Sequence, residues 1–163
     1  MTCTKSFRPG KGCFVLRAPL VLGEAEISDD PAELLFRQVT PRVWVSEEGK
    51  PAKDAFGPKS VDKGKPSYSR ASKVTAEDAY EWHNLNANSP SVGTWACSLE
   101  EVNGANLSAI DDSAAATSSP QAPGHCYVDF RNMTKREERD KRAILLRAAL
   151  ARGIVYPDAP VLS

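Results

Sequence analysis

The stretch that decides the fold is His125-Cys126-Tyr127-Val128-Asp129-Phe130, which leads into Thr134-Lys135-Arg136-Glu137. The first run alternates polar and apolar residues, and this pattern predicts a strand. The second is a capping box, in which a threonine and a glutamate satisfy the first backbone N–H groups of a helix. The helix is expected to run to about Arg152, because Gly153 suits the C-terminal capping position and Pro157 follows.

Two more helices and several strands are predicted upstream. Thr75, with Asp78 three residues later, predicts a helix that ends near Asn86. Ser98 opens a second capping box and a short helix that stops at Gly104. Together these elements predict an α+β fold with a small, mainly antiparallel sheet, two or three helices including a C-terminal helix, and long surface loops. Strands are expected at Cys13–Leu16, Leu20–Leu22, Val43–Val45, Val92–Cys97 and His125–Phe130. The run Leu34–Val39 follows Asp30-Pro31 and is expected to form at most one helical turn and then a strand.

The domain organisation is simple, because 163 residues fit one compact domain. Residues 1–12 are polar and contain Pro9-Gly10, which predicts a flexible N-terminal arm before a single domain over residues 13–163. Residues 111–124 are dominated by Ala, Ser, Thr and Pro, so a flexible loop is predicted there. The segment from Pro51 to Lys73 is rich in Lys, Ser, Gly and Pro and is expected to be an extended surface segment.

Composition excludes several function classes. The 21 basic and 21 acidic residues cancel, so a nucleic-acid partner is unlikely, because such proteins are usually strongly basic. No apolar run approaches the roughly 20 residues of a membrane span, and the N-terminus lacks the pattern of a secretory signal. A cytoplasmic location with free cysteine thiols is therefore expected. The four cysteines show no metal-ligand spacing, so neither a metal nor a cofactor is predicted.

The two histidines are the first candidates for chemistry. His83 and His125 are the only side chains whose ordinary pKa lies near neutrality, so either is a candidate general base. A histidine on an amphipathic helix beside a tryptophan is more often a packing residue, and this applies to His83. Cys97 with His125, or Cys126 with His83, would supply the nucleophile and base of a cysteine hydrolase, although small buried core residues are the commoner role of such cysteines.

Other candidates suggest a nucleotide site. Arg37 lies in an otherwise apolar run, and Tyr68 and Arg70 add a hydroxyl and a second cation further along. This layout resembles that of proteins that hold NAD for ADP-ribosyl transfer, although no acidic motif occupies a matching place. The competing interpretation is that Arg37 points outward from a half-buried strand. Asp129 alternates with apolar neighbours and is a candidate ligand-binding acid or an edge-strand charge. Phosphate-binding glycine motifs are absent.

Five short segments can be compared with known sequences: Phe36-Arg37-Gln38-Val39-Thr40-Pro41, Ala55-Phe56-Gly57-Pro58, Asp62-Lys63-Gly64, Val92-Gly93-Thr94-Trp95 and the run from His125 to Phe130. In these segments the chain resembles a group of small bacterial proteins of unassigned function. The resemblance extends over roughly Leu34 to Tyr156 and implies a bacterial, cytoplasmic protein, but it transfers no catalytic residue.

Three functional hypotheses follow. The first is a non-catalytic accessory domain that binds a protein partner through its polar loops, and it predicts an exposed apolar patch. The second is a nucleotide- or NAD-utilising transferase or hydrolase that uses Arg37, Tyr68, His83 and His125. It requires these residues to meet in one concave pocket with at least one shifted pKa. The third is a nucleic-acid binder that uses a basic loop over residues 50–73 and shows strongly salt-dependent affinity.

Overall fold

Three helices and two antiparallel sheets form an α+β fold, as the sequence predicts. The structure is a computed structural model and describes residues 17–162, so the predicted arm over 1–12 and the strand at Cys13–Leu16 lie outside the described residues. The helices are α1 (Ala76–Asn86), α2 (Leu99–Gly104) and α3 (Lys135–Arg152). The strands are β1 (Ala25–Glu26), β2 (Leu34–Val39), β3 (Trp44–Val45), β4 (Lys50–Pro51), β5 (Ser67–Arg70), β6 (Gly93–Ser98), β7 (Ala109–Asp111) and β8 (His125–Val128).

The larger sheet has six strands in the order β1-β7-β8-β5-β2-β6, and each neighbouring pair is antiparallel. The longest pairing joins β2 and β6 over six residues, from Leu34 opposite Ser98 to Val39 opposite Gly93. Strands β3 and β4 form a separate hairpin. The turn between them contains Gly49 at a φ of 60°, a conformation that glycine adopts readily.

One face of the six-stranded sheet carries the main core. Leu35 and Val39 of β2, Tyr68 of β5 and Cys126 of β8 belong to one buried cluster with Leu145 of α3, and each is at most 2% exposed. Burial of an aliphatic side chain contributes about 1.5 to 3 kcal/mol, so this face is the main source of stability. Helices α2 and α3 cover it.

The opposite face is only partly covered. Phe36 of β2 and Ala96 of β6 form a smaller apolar cluster with Ala79 of α1. Beyond this cluster the same face presents Ser69 of β5, which lies opposite Phe36 on one side and His125 on the other. Because alternate residues of a strand point to opposite faces, Ser67 and Ser69 of β5 and His125 of β8 lie on the side of α1.

The predicted helix caps are confirmed. Thr75 Oγ1 accepts a hydrogen bond from Asp78 N, at 3.1 Å. Thr134 Oγ1 accepts one from Glu137 N at 3.2 Å, and the Glu137 carboxylate accepts one from Thr134 N at 2.7 Å. Gly153 ends α3 with a φ of 86°. These bonds join residues three apart, so the local sequence is sufficient to specify them.

Two local predictions were wrong. The segment from Pro51 to Lys73 is not a surface loop, because it contributes the inner strand β5, and Tyr68 in that strand is buried. Its serines alternate with Tyr68 and face the side of α1, which gives a central strand the composition of a loop. Residues Leu20–Leu22 form no strand, because Glu24 N donates to Val21 O and closes a turn there.

Candidate functional site

A cavity of about 490 Å³ lies over the partly covered face of the sheet. Strands β2 and β5 form its floor, α1 forms one wall, and residues 117–122, which precede β8, form another. It is lined by Phe36, Arg37, Gln38, Thr40, Lys59, Asp62, Ser67, Tyr68, Ser69, Ala79, Trp82, His83, residues 117–122 and His125.

Four sequence-predicted residues meet in this cavity. Arg37, Tyr68, His83 and His125 all line it, although they come from β2, β5, α1 and β8. The enzyme hypothesis required this convergence. Arg70 and Asp129, also predicted as site residues, do not line it.

The Arg37 guanidinium is held by backbone carbonyls. Its Nε donates to Ala55 O at 3.0 Å, Nη1 donates to Ser67 O at 2.7 Å, and Nη2 donates to Gly57 O at 3.4 Å. These acceptors carry no net charge, and within residues 17–162 no carboxylate lies within 4.0 Å of the guanidinium. Residue Arg37 is 8% exposed, so a positive charge stands at the cavity without a counter-ion.

Tyr68 supports Arg37 and has no acid–base role in this arrangement. The guanidinium lies over the phenol ring, 5.3 Å from the ring centroid. The Tyr68 hydroxyl donates to Phe56 O at 2.9 Å, and burial raises the pKa of Tyr68. The phenol therefore stays protonated at neutral pH and faces away from a ligand.

Lys59 adds a second cation. Its backbone N–H donates to Asp62 Oδ2 at 2.7 Å, while its ammonium has no ion pair within the part of the chain that the structure describes. Burial lowers the pKa of Lys59, and the charge of Arg37 lowers it further. The charged groups that line the cavity are thus two cations and one carboxylate, so its potential is positive.

His83 lies on α1 with one nitrogen engaged. Its Nε2 lies 2.9 Å from Ser89 O, and because a carbonyl only accepts, Nε2 carries the proton in the neutral ring. Nδ1 keeps a free lone pair. Burial lowers the pKa of His83, and the charges of Lys59 and Arg37 add to this, whereas the bond to Ser89 opposes it. His83 is therefore a neutral imidazole near pH 7.

His125 has the geometry of an oriented base. It opens β8, and its Nδ1 lies 2.6 Å from Asp112 Oδ1. The carboxylate accepts the Nδ1 proton, which leaves the Nε2 lone pair free in the neutral ring. Both side chains are shielded, with 16% of His125 and 14% of Asp112 exposed. A carboxylate that orients an imidazole is the arrangement of a general base in hydrolases.

The other candidates lie elsewhere. Arg70 Nη2 pairs with Glu33 Oε2 at 2.9 Å, and its Nη1 pairs with Asp111 Oδ2 at 2.8 Å, so its charge is neutralised inside the domain. Asp129 accepts two hydrogen bonds from the Arg131 guanidinium, each 2.9 Å long, beside a second cavity. These contacts give both residues a structural role.

Neither described cysteine supports a thiol nucleophile. Cys97 and Cys126 are fully buried on the α3 face, away from the cavity. Burial raises the pKa of Cys97 to about 12, and it also raises the pKa of Cys126. Both thiols stay protonated, so the predicted pairs of Cys97 with His125 and of Cys126 with His83 are not present in the cavity.

Sequence reasoning missed several cavity residues. Lys59 was hidden among the lysines of a segment interpreted as loop, and Asp112 among the small residues of a predicted flexible loop. Ser69 lies between Tyr68 and Arg70, and only these two neighbours were predicted to be site residues. The alternation of residues in β5 was the one feature of the sequence that could have identified Ser69 as a cavity residue, because it places this serine on the face opposite Tyr68.

Comparisons with known proteins give no match, so a function can be inferred only from the geometry of the cavity. No family model matches the chain, and neither a curated protein nor a solved structure matches it. Among residues 17–162 no helix is long and apolar enough to cross a membrane. The same residues contain no group of three or more His, Cys, Asp or Glu side chains placed to hold a metal ion.

Proposed function

We propose that the cavity binds a small anionic ligand of the nucleotide type and that His125 acts on it as a general base in hydrolysis or group transfer. One observation carries the proposal: Arg37 and Lys59 line the cavity, and in the described structure neither cation has a carboxylate within 4.0 Å. Buried charge is costly unless it is paired, so such a pocket favours an anion that completes the pairing.

Arg37 has donors left for a phosphate. A guanidinium carries five N–H groups, and the three backbone carbonyls engage one on each nitrogen. One N–H on each terminal nitrogen remains, and two such donors match two oxygens of a phosphate. Lys59 supplies a mobile point charge nearby, and the Nε2–H of His83 is already committed to Ser89.

Aromatic side chains suit the base of a nucleotide. Trp82 of α1 and Phe36 of β2 both line the cavity, and Trp82 is half-buried, which leaves part of its indole open to a ligand. Stacking of a base on an aromatic ring is worth about 1 to 3 kcal/mol. A cationic end beside an aromatic wall therefore fits a ligand that joins a phosphate to a planar ring.

Isothermal titration calorimetry tests this proposal. AMP and NAD are titrated into the protein, with adenosine as the uncharged control. Because a hydrogen bond to a charged group contributes about 1.5 to 3 kcal/mol, AMP is expected to bind at least about tenfold more tightly than adenosine. Lys59→Gln is expected to weaken AMP binding by about tenfold.

Lys53→Gln is the matched control, because Lys53 is an exposed lysine of the same segment that does not line the cavity. It should leave the affinity for AMP unchanged. Equal affinities for AMP and adenosine, equal losses in the two lysine variants, or no nucleotide binding at all would contradict the proposal.

An accessory domain in a bacterial cytoplasm that binds a protein partner remains the second proposal. Large apolar side chains are exposed at Leu22, Val61 and Leu85, which are 98%, 79% and 85% accessible. A protein partner would cover such side chains on binding. A pull-down with the wild-type chain, compared with Leu85→Gln, tests it: a partner that is captured equally by both proteins argues against a contact through α1.

A further inference from the structure

Ser69 lies on the floor of the cavity with its hydroxyl unused. The residue is 8% exposed and lines the cavity between Phe36 and His125. Within residues 17–162 its side chain makes no hydrogen bond, whereas the hydroxyls of Ser72, Ser91 and Ser98 each do. The hydroxyl is not among the sealed, unpaired polar atoms of the described residues, so it remains accessible from the cavity.

Strand register places this hydroxyl beside His125. Arg70 N donates to Gly124 O at 2.9 Å, and Val128 N donates to Pro66 O at 3.3 Å. Hydrogen-bonded and non-hydrogen-bonded pairs alternate along an antiparallel ladder. The Ser69–His125 pair is therefore of the non-hydrogen-bonded kind, in which the Cα atoms are about 4.5 Å apart and the side chains approach most closely.

Ser69, His125 and Asp112 thus follow the order of nucleophile, base and orienting acid. Asp112 holds Nδ1 of the imidazole at 2.6 Å, so Nε2 is free to take a proton from a neighbouring hydroxyl. A serine becomes an effective nucleophile when such an imidazole removes its proton. Lys59 lines the same cavity and can offset negative charge on a substrate.

We propose that Ser69 is a catalytic nucleophile that forms a covalent phosphoryl-serine intermediate with a phosphate ester. The Oγ–P bond forms, the bond from phosphorus to the leaving oxygen breaks, and the Oγ proton passes to His125 Nε2 and then to the leaving oxygen. Water then attacks phosphorus, gives its proton to Nε2, and Oγ leaves with that proton. This inference rests on the proposed function, since it places the ester in the same cavity.

A fluorophosphonate probe tests the nucleophile directly, because attack by Oγ on phosphorus expels fluoride and leaves a stable adduct. The full chain is treated with the probe, and the labelled residue is identified by peptide mass spectrometry. Labelling is expected at Ser69, to be absent in Ser69→Ala, and to be about 100-fold slower in His125→Gln, since general-base catalysis contributes 10²–10⁴-fold.

Ser46→Ala is the matched control, because Ser46 is an exposed serine of the turn between β3 and β4 and does not line the cavity. Labelling of Ser69 should proceed at the wild-type rate in this variant. Asp112 is a positioning residue, so Asp112→Asn should slow labelling of Ser69, because the imidazole loses the carboxylate that orients it, and Asp112→Glu should recover part of the rate. A rate in Asp112→Glu that stays as low as in Asp112→Asn would show that Asp112 has only a structural role.

Nucleotide calorimetry on the same variants separates this inference from the proposed function. If AMP binds and the probe does not label Ser69, the nucleophile is overturned and the binding site stands. If Ser69 is labelled and no nucleotide binds, the nucleophile stands and the proposed ligand is wrong. Labelling at Ser69 that proceeds equally fast in His125→Gln overturns the role of the histidine.

Discussion

Arg37 and Arg70 lie on neighbouring strands and are both 8% exposed, yet their surroundings differ. Arg70 meets the carboxylates of Glu33 and Asp111, and the hydrogen bond from Arg70 to Glu33 raises the pKa of Arg70. Arg37 meets only backbone carbonyls, and its charge helps to lower the pKa of Lys59. One arginine closes a structural network, while the other leaves positive potential in a cavity.

This difference shows how a buried cation is assigned a role. Both arginines are equally buried, so burial does not distinguish their roles. The charge of the partner groups distinguishes them, because a carboxylate neutralises a guanidinium, whereas a carbonyl only solvates it. We therefore assign a stabilising role to the Arg70 network and propose that the Arg37 end of the sheet binds the ligand.

The largest expected effect comes from removing Arg70. Arg70→Met leaves the Glu33 carboxylate, whose side chain is 4% exposed, without its counter-ion. Loss of one partner of a buried ion pair costs about 3 to 5 kcal/mol of unfolding free energy. Urea denaturation at pH 7 measures the loss, and a change below 1 kcal/mol would show that the network does not stabilise the domain.

The dependence of the unfolding free energy on pH tests the same network. Burial by itself raises the pKa of Glu33, but hydrogen bonds from Arg70 and Ser72 hold it below its ordinary value; for Asp111, bonds from Ser113 and Arg70 likewise outweigh burial. A lowered carboxyl pKa gives stability that is present above the unfolded-state value, about 4, and is lost as the pH falls below it. Denaturation of the wild type from pH 7 to pH 2 should show this loss.

In Arg70→Met the dependence on acid is expected to change. An unpaired buried carboxyl prefers its neutral form, so protonation of Glu33 relieves the penalty instead of adding to it. The difference in unfolding free energy between the variant and the wild type should therefore shrink below pH 4. A difference that stays constant with pH would contradict the role of Glu33.

A smaller loss of stability is expected from Arg37→Met. The substitution leaves the carbonyls of Ala55 and Ser67 without their donors, which costs about 1 to 3 kcal/mol. No carboxylate is stranded, so the loss should be smaller than for Arg70→Met and independent of pH between 3 and 5. Urea denaturation of both variants at three pH values compares them, and an equal loss at pH 7 would remove the distinction between the two arginines.

A change in the titration of His83 is expected from Lys59→Gln. Burial lowers the pKa of His83 below the ordinary 6.5, and the Lys59 charge contributes to this, so the substitution should raise it. NMR titration of the imidazole protons measures the change, with Lys53→Gln as the control. An unchanged pKa would show that Lys59 does not contribute to the field at His83.

The smallest effect is expected on the stability of Lys59→Gln. The ammonium has no ion pair among the described residues and is repelled by Arg37, so its loss should change the unfolding free energy by no more than about 0.5 kcal/mol. Urea denaturation at pH 7 measures it. A loss of 2 kcal/mol would place Lys59 with Arg70 as a structural residue.

Prediction from sequence was most successful where the determining contacts join residues that are close together along the chain. The caps at Thr75, Ser98 and Thr134 each bond to a residue three positions away, and the helices begin where they were predicted. It failed for β5, because the strand's identity depends on its neighbours β2 and β8, and its serines gave it the composition of a loop. Asp112 was missed for a similar reason, since its bond to His125 spans 13 residues of a low-complexity segment.

The sequence by itself determined the α+β class, the bounds of the helices and the identity of four side chains in the cavity. Local hydrogen bonds and the alternation of apolar residues carry that information, because both act within a few positions along the chain. Tertiary structure alone decided that Arg37 lacks a carboxylate while Arg70 has two, and that Ser69 lies opposite His125. Partner charge and strand register are set by contacts between distant segments, and only the packed sheet brings those segments together.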